Sequence, residues 1–481
     1  MSGILGYATY LPYYRLPRAA IAATLGGPPG KGTRAAASYD EDSTSMAVAA
    51  ARRLPAGLLA DLGALYFATT TPAYLDKTNA TAIHAALGLP AGVGAYDMGG
   101  AVRSAVGALG AALAASRPSL VVAADIRTGL PGSEDERDGG DGASAFAVGA
   151  GDGAHPVLAE CLSTGSATGE FLERWRVPGQ AYSRRWEERF GIHAFLPHVG
   201  RAVATALAGA GVPPDAVEHL IVTGTHSRAA AAFARASRAR PEVLLNDLAA
   251  TVGNTGAAHP GLLLASALDT ARPGAMIALV VLADGADVLV FRATEALAAH
   301  RSHPTVAEQA AAGSAVAYAD FLTWRGMLVR QGPRRPDPSQ PAAPPALRSE
   351  AWKFGFTASR CRTCGRRHLP PQRVCAGCGS IDQMDPERLA DVPGTIATFT
   401  IDRLAYSPSP PVVAAVVDFD GGGRYRCELT DVDPAAVAIG GRVEMTFRRL
   451  FEAGGVHNYF WKARLIGDGA AAPAAAGPQG A

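Results

Sequence analysis

Short apolar runs that close on a turn alternate with alanine-rich stretches through the first 330 residues. Residues 65–69 and 120–124 read as strands and 44–53 and 100–115 as helices, which is the alternation of an α/β protein. The same order returns downstream, where 219–222 leads into a helix over 229–236 and 275–282 is followed by 286–291. Buried strands and close-packing helices in both halves predict an internally duplicated, layered fold. After residue 390 the pattern changes to short β-prone segments. GTIATFTIDR, PPVVAAVVDFD, RYRCELT, RVEMTFRRL and HNYFWKARLI, separated by Gly-, Pro- or Asp-rich turns, predict a small OB-like β-barrel. Tyr459, Phe460 and Trp461 are consecutive on one such strand and cannot all face one way, so the expectation is barrel packing with one ring left to touch a partner.

Residues 331–348, QGPRRPDPSQPAAPPALR, hold too many prolines for a continuous helix or central strand and favour an extended connector. The expected parts are an N-terminal half over 1–165, a second half with a docking helix over 166–330, a Pro-rich linker over 331–350, a metal module over 351–389, a barrel over 390–468 and a mobile tail over 469–481. The docking helix is AYADFLTWRGML, residues 317–328, whose Trp324 and apolar positions suit an interface between modules.

Composition narrows the function classes. Among 481 residues, 48% are hydrophobic and 18% charged, which excludes a disordered or coiled-coil chain as a whole. Forty-four Lys and Arg against 43 Asp and Glu leave a formal charge of +1, so no global field attracts nucleic acid or anionic lipid. The longest apolar stretch, 275–291, is interrupted by Asp284 and Asp287, and the opening residues lack a basic leader. The expectation is a cytoplasmic protein without a membrane span and without a nucleic-acid partner.

Cys361, Cys364, Cys375 and Cys378 form CxxC, ten intervening residues, and CxxC. Two such knuckles bring four thiolates around one tetrahedral structural zinc, and the closed sulfur shell leaves no position for a substrate. Iron is the possible substitute. His368 lies between the knuckles, beside the metal rather than bound to it. Cys161 and Cys427 stand far apart and read as small apolar side chains.

Other candidates lie on loops. TGTHS puts His226 after an apolar strand and before a helix; VGNTGAA puts Asn254 in a glycine-flanked turn. Each has a plain packing or turn reading; together they offer an imidazole and an amide donor to a developing enolate or oxyanion. Asp42 reads as part of a helix cap, and the aspartate of GDGASAF as an orienting loop residue.

The order AYDMGGAV, GDGASAF, THSRA, VGNTGAA resembles the thiolase superfamily, particularly its β-ketoacyl carrier-protein synthase III and hydroxymethylglutaryl-CoA synthase branches. GILGYATYLPYYRL, FATTTP and FLERWRVPG support the second branch, and the resemblance covers residues 1 to about 330. It implies a duplicated five-layer α/β fold, usually a homodimer, that makes carbon–carbon bonds on CoA or related acyl thioesters. It also implies a nucleophilic Cys where this chain has Val102, and a catalytic Glu where it has Thr70. The family's His and Asn match His226 and Asn254. Val102 has no lone pair and cannot form a thioester. The reading is therefore aldol or retro-aldol chemistry on a CoA thioester without an acyl-enzyme. Tyr74, Tyr96 and His259 are further acid–base candidates, and Arg103 is a phosphate or carboxylate contact or a salt-bridge residue. A Cys-independent acyltransferase or Claisen-type synthase, and a noncatalytic acyl-CoA-binding scaffold, stand as alternatives. Residues 351–467 resemble the zinc-ribbon and OB-fold proteins associated with acyl-CoA enzymes, on SRCRTCG, PPQRVCAGCGS and HNYFWKARL.

Overall fold

Apolar runs of the first unit, Met1–Val329, pair into one sheet. The computed structural model describes residues 2–466 apart from 29, 187, 335 and 337; the tail expected at 469–481 lies outside the described residues. The strands are β1 (Ser2–Tyr10), β2 (Ala64–Thr69), β3 (Gly94–Gly99), β4 (Ser119–Asp125), β5 (Gly142–Ala150), β6 (Ala159–Thr168), β7 (His219–Gly224), β8 (Met276–Leu282) and β9 (Gly285–Ala293). Their order is β7-β8-β9-β6-β1-β5-β4-β2-β3.

Read outward from the middle, the two halves are the same. One runs β1-β5-β4-β2-β3; the other runs β6-β9-β8-β7 and ends on Leu244, bridged in parallel to Leu220. Directions repeat as well, with two antiparallel pairings followed by two parallel ones in each half. The duplication is thus carried by topology, because burial and hydrogen bonding constrain residue class at each position and not residue identity.

Six helices matter for the site: α1 (Ser43–Ala51), α2 (Ala80–Leu87), α3 (Arg103–Ala114), α4 (Glu188–Ala210), α5 (Ser227–Ala236) and α6 (His259–Thr270). Ala105, Leu109 and Ala112 of α3 and Leu262, Leu264 and Leu268 of α6 share one buried cluster with strand residues of both halves. The pair α3/α6 is therefore the central layer, and its alanines allow close approach of helix and sheet. Outside, α1 and α2 pack on the first half, while Phe195 and Val199 of α4 and Phe233 of α5 pack on the second. This is the five-layer arrangement.

Helix starts differ from expectation in instructive ways. Asp42 caps α1 by accepting from the Ser45 amide at 2.8 Å while Ser45 Oγ accepts from the Asp42 amide at 2.9 Å, so the helix starts at Ser43, one residue before the expected 44. Helix α3 begins at Arg103, because Gly100 takes φ +97° and breaks the chain direction just before it. The long helix α4 escaped the apolar pattern because Pro197 and three glycines interrupt it. A short helix, Tyr318–Trp324, occupies the expected docking segment; its Tyr318 and Phe321 are buried with Leu16, Ile21 and Ala36 inside the first unit.

The second unit, Arg330–Ala481, holds a three-stranded ribbon (Thr357–Cys361, Arg367–His368, Met384–Arg388) and a closed barrel. The Pro-rich connector contains a helical turn at Ala343–Arg348, which tolerates Pro344 and Pro345 because first-turn amides need no acceptor. Barrel strands are Gly394–Asp402, Val412–Phe419, Arg424–Leu429, Arg442–Ala453 and Val456–Leu465, one for each of the five β-prone segments. Tyr459 and Trp461 point inward and are buried, while Phe460 packs on Trp352 and Phe356. Among the described residues no helix is long and apolar enough to cross a membrane.

Candidate functional site

The Thr69–Thr71 turn at the end of β2 is built around Asp125 at the end of the neighbouring strand β4. Asp125 is fully buried and accepts five hydrogen bonds: Thr69 Oγ1 (2.9 Å), Thr70 N (2.6 Å), Thr70 Oγ1 (2.8 Å), Thr71 Oγ1 (3.3 Å) and Ala257 N (2.7 Å). The last donor follows the GNTG turn of the other half, so one carboxylate pins both halves together. Thr70 is consumed by this network and offers no acid or base. Gly100 N donates to Thr69 O at 3.2 Å, which places Val102, at the start of α3, next to the threonine turn.

Between these turns and the segment 173–183 lies a cavity of about 610 Å³. Thr70, Tyr74 and Val102 line it together with Glu173, Arg127 and Arg176. Glu173 is buried, and burial raises its carboxyl above the usual range, opposed by the nearby His226 and Arg174. Thr225 Oγ1 donates to Glu173 Oε2 at 3.4 Å.

His226 is buried behind this wall. Its Nδ1 accepts from Ala229 N at 3.0 Å, capping α5, so a neutral ring carries its proton on Nε2. Gly191 of α4 makes room for the ring: a Cβ there would lie 2.4 Å from His226 Cδ2. Asn254 reaches the same turn, with Nδ2 donating to Gly224 O at 2.9 Å and Oδ1 accepting from Gly256 N at 2.9 Å. The second Nδ2 hydrogen is left for another acceptor.

Three residues singled out in the sequence lie elsewhere. Tyr96 sits on the outermost strand β3, exposed and stacked on Tyr66. His259 is buried at the start of α6, where desolvation lowers it to about 4 and Thr255 Oγ1 lies 3.4 Å from Nδ1. It is a neutral packing histidine off the cavity wall. Arg103 takes the salt-bridge alternative, bound to Asp287 at 2.7 Å and to Ser166, Thr168 and the Asp284 carbonyl, so its donors already have protein acceptors. Cys161 and Cys427 are pushed up to about 11 and about 12 by burial and stay protonated thiols. Asp141 orients its loop as expected, accepting from Arg34, Arg325 and the Ala37 and Arg127 amides.

Sequence reasoning missed Asp125, Arg127, Glu173 and Arg176. Glu173 and Arg176 stood in the quoted FLERWRVPG, whose charged residues between aromatic and turn positions were the available signal. Asp125 and Arg127 close the apolar strand LVVAAD and its following turn, with nothing local to mark them.

In the second unit the four knuckle sulfurs lie within 4.8 Å of one another, with Cys361–Cys378 at 3.7 Å and Cys364–Cys375 at 3.5 Å. Sulfurs about 2.3 Å from a tetrahedral zinc are about 3.8 Å apart, so the residues fit that ion. Gly365 and Gly379, at φ +74° and +73°, turn the chain after each CxxC. His368 is buried on the middle one of the three ribbon segments in sequence, Arg367–His368, and is not one of the four.

A duplicated sheet enclosing paired helices, with a cavity at the start of one of them, is the architecture of thiolase-type enzymes. The hydroxymethylglutaryl-CoA synthase of Methanopyrus kandleri is 29% identical over 325 residues, 64% of this chain and 92% of that protein. The synthase of Aeropyrum pernix is 30% identical over 300 residues, 59% of this chain and 82% of that one. Among solved structures, PksG, a HMG-CoA synthase from Bacillus subtilis, superposes with a TM-score of 0.58 at 16% identity, covering 68% of this chain and 89% of its own. 3-Oxoacyl-(acyl carrier protein) synthase III, FabH, from Pseudomonas aeruginosa gives 0.52 at 24% identity, covering 61% and 98%. Residues 355–382 match the ChsH2 rubredoxin-like zinc ribbon domain and 387–448 the ChsH2 C-terminal OB-fold domain. The chain belongs to the hydroxymethylglutaryl-CoA synthase family of the thiolase superfamily, and its C-terminal domains are of the ChsH2 type.

Proposed function

We propose that this chain makes or breaks a carbon–carbon bond on a CoA thioester by aldol or retro-aldol chemistry, without an acyl-enzyme. The observation that carries this reading is the pairing on one cavity wall of Val102, which has no nucleophilic atom, with Glu173, a buried carboxyl beside His226. In the cleaving direction Glu173 takes the proton from a β-hydroxyl. The β-oxygen electrons form a carbonyl as the Cα–Cβ bond breaks, and the bond pair moves onto the thioester carbonyl as an enolate. His226 Nε2–H and the second Asn254 Nδ2–H steady that oxyanion, and the proton held by Glu173 goes to Cα. Tyr74 lies on the same wall and orients the acyl group.

The resemblance also supports a homodimer; light scattering on the full-length protein tests it. The chemistry is tested by incubating the protein with a panel of β-hydroxyacyl-CoA thioesters and quantifying carbonyl product and shortened acyl-CoA. Turnover lost in His226→Ala and Glu173→Gln, with fold and zinc retained, supports the reading. Acyl transfer without carbonyl product would favour a Cys-independent acyltransferase, and tight acyl-CoA binding with no turnover in any direction would favour a scaffold.

A further inference from the structure

Among the described residues the cavity is lined by three carboxylates, Asp97, Glu173 and Asp284. Asp97 is spent on the start of α2, where it accepts from Asn79 N (2.7 Å), Asn79 Nδ2 (2.9 Å) and Ala80 N (2.7 Å). The carboxylate of Asp284 accepts no hydrogen bond among the described residues. Its backbone, by contrast, is fixed. Asp284 occupies the turn between β8 and β9 at φ +49°, and its carbonyl accepts from Arg103 Nη1 at 2.7 Å. Gly285 follows at φ +118°, where a Cβ would lie 2.2 Å from the Ala167 carbonyl oxygen. An Asp–Gly pair suits such a turn, but the turn asks only for left-handed backbone, which Asn or Gly supplies without a charge.

The turn adjoins the groups assigned to the enolate. Thr225 N donates to Leu282 O at 3.1 Å and Asn254 Nδ2 to Gly224 O at 2.9 Å, so Asp284 stands two residues beyond the strand end that holds the His226 turn. Through Arg103 it also touches the residue after Val102. Glu173 meets Thr225 as well, but through the hydroxyl, at 3.4 Å. The charges acting on the two carboxyls are different ones: His226, Arg174 and Arg185 on Glu173, Arg103 and Glu170 on Asp284. Two carboxyls thus reach one cavity from separate surroundings. Burial raises that of Asp284 above the usual range, with Arg103 opposing and Glu170 adding to the effect, as burial also does for Glu173. Either can then hold a proton while the other is ionised.

We infer that Asp284 is a second acid–base group at Cα, facing it from the side away from Glu173, so that the site also inverts the α-carbon of α-branched acyl-CoA thioesters. This rests on the CoA-thioester reading above. The Glu173 carboxylate takes the proton from Cα; the C–H pair becomes the enolate double bond and the carbonyl pair moves onto oxygen, steadied by the donors already assigned to it. Protonated Asp284 then gives its proton to the opposite face of Cα as the carbonyl re-forms. Water returns the proton from Glu173 to Asp284, and no oxidant or reductant is needed. The opposite epimer runs the same steps with the two carboxyls exchanged.

The probes are the R and S epimers of 2-methylbutyryl-CoA, which have no β-hydroxyl to cleave, incubated with the full-length protein in deuterium oxide. Proton NMR reads deuterium at Cα, and chiral chromatography of the released acid reads configuration. Wild type is expected to exchange and invert both epimers. Asp284→Asn is expected to slow inversion about 10²-fold or more and to exchange one epimer only, with retention, while Glu173→Gln exchanges only the other. A structural role would not give the two variants opposite preferences. The inference is overturned by a wild type that exchanges neither epimer or exchanges without inverting. Continued inversion by folded Asp284→Asn, loss of exchange of both epimers in it, or the same preference in both variants also overturns it. Cleavage of the β-hydroxyacyl-CoA panel is scored separately: cleavage without inversion keeps the aldol reading and removes this inference, and inversion without cleavage does the reverse. Should Asp284→Asn not fold, Asp284→Gly, for which φ +49° is an open conformation, takes its place; failure of both to fold assigns the carboxylate to the fold and overturns the inference.

Discussion

The cysteine knuckles and the cavity wall both crowd like charges, with opposite signs and opposite origins. Four sulfurs meet within 4.8 Å because two CxxC turns, each closed by a glycine, deliver them from 18 consecutive residues, 361–378. The guanidiniums of Arg127, Arg174 and Arg176 meet because strand β4 and the segment after β6 converge in space. The first cluster is self-sufficient chemistry: thiolates at that spacing call for one small cation and nothing else. The second is partial, since Asp135 matches one arginine and leaves the others to act on what enters.

Four experiments break or sharpen the contrast. The largest effect belongs to the knuckles: Cys375→Ser removes a ligand from a site whose zinc binding amounts to about 10–16 kcal/mol of folding free energy, so metal analysis is expected to find the ribbon empty and its transition lost from the melt. On the cavity side, Glu173→Gln is expected to lower turnover about 10²- to 10⁴-fold with circular dichroism unchanged. Third, Gly256→Ala forces a side chain at φ +60° with its Cβ 2.2 Å from Asp125 Oδ2, and denaturant titration is expected to find a loss of about 3 kcal/mol. The smallest effect is a matter of pH. Glu173 has a folded pKa above its unfolded one, so its contribution is fully present below the unfolded pKa and is lost as pH rises through the folded pKa. Glu173→Gln should therefore melt higher than wild type above that window, with the gain disappearing toward the ordinary carboxylate range. A gain that is constant with pH would contradict the buried carboxyl.

The same contrast explains what the sequence disclosed. Zinc ligands and barrel strands are local: ten residues between two CxxC pairs, and five β-prone segments with turns between them, are visible in one dimension. Five of the nine strands of the duplicated fold, β2, β4, β7, β8 and β9, were legible within a residue or two, because apolar runs mark buried strands whatever their partners. Their order was not, since β1 pairs with β5 and β6, and only the folded sheet brings residue 125 to both residue 70 and residue 257. Family motifs drew attention to Val102, which lines the cavity, and to His226 and Asn254, which sit at the turn after β7 and are not among the lining residues. They equally suggested Tyr96 and His259, where exposure on an outer strand and desolvation in the core decide against an acid–base part. Arg127 carries no motif, and Glu173 stands in the quoted FLERWRVPG without anything in the sequence that singles it out from the charged residues beside it.

Asp125 also limits how this site can change. A glutamate introduced at residue 70 would lose the 2.8 Å hydroxyl donor and set two carboxylates side by side, while a smaller residue at 125 would release the Ala257 amide across the junction of the repeats. Placing a carboxylate at residue 70 is therefore no simple exchange: it calls for a neutral residue at 125 as well, and that second change carries the cost of a loosened seam. New chemistry at that turn comes only with a weaker protein.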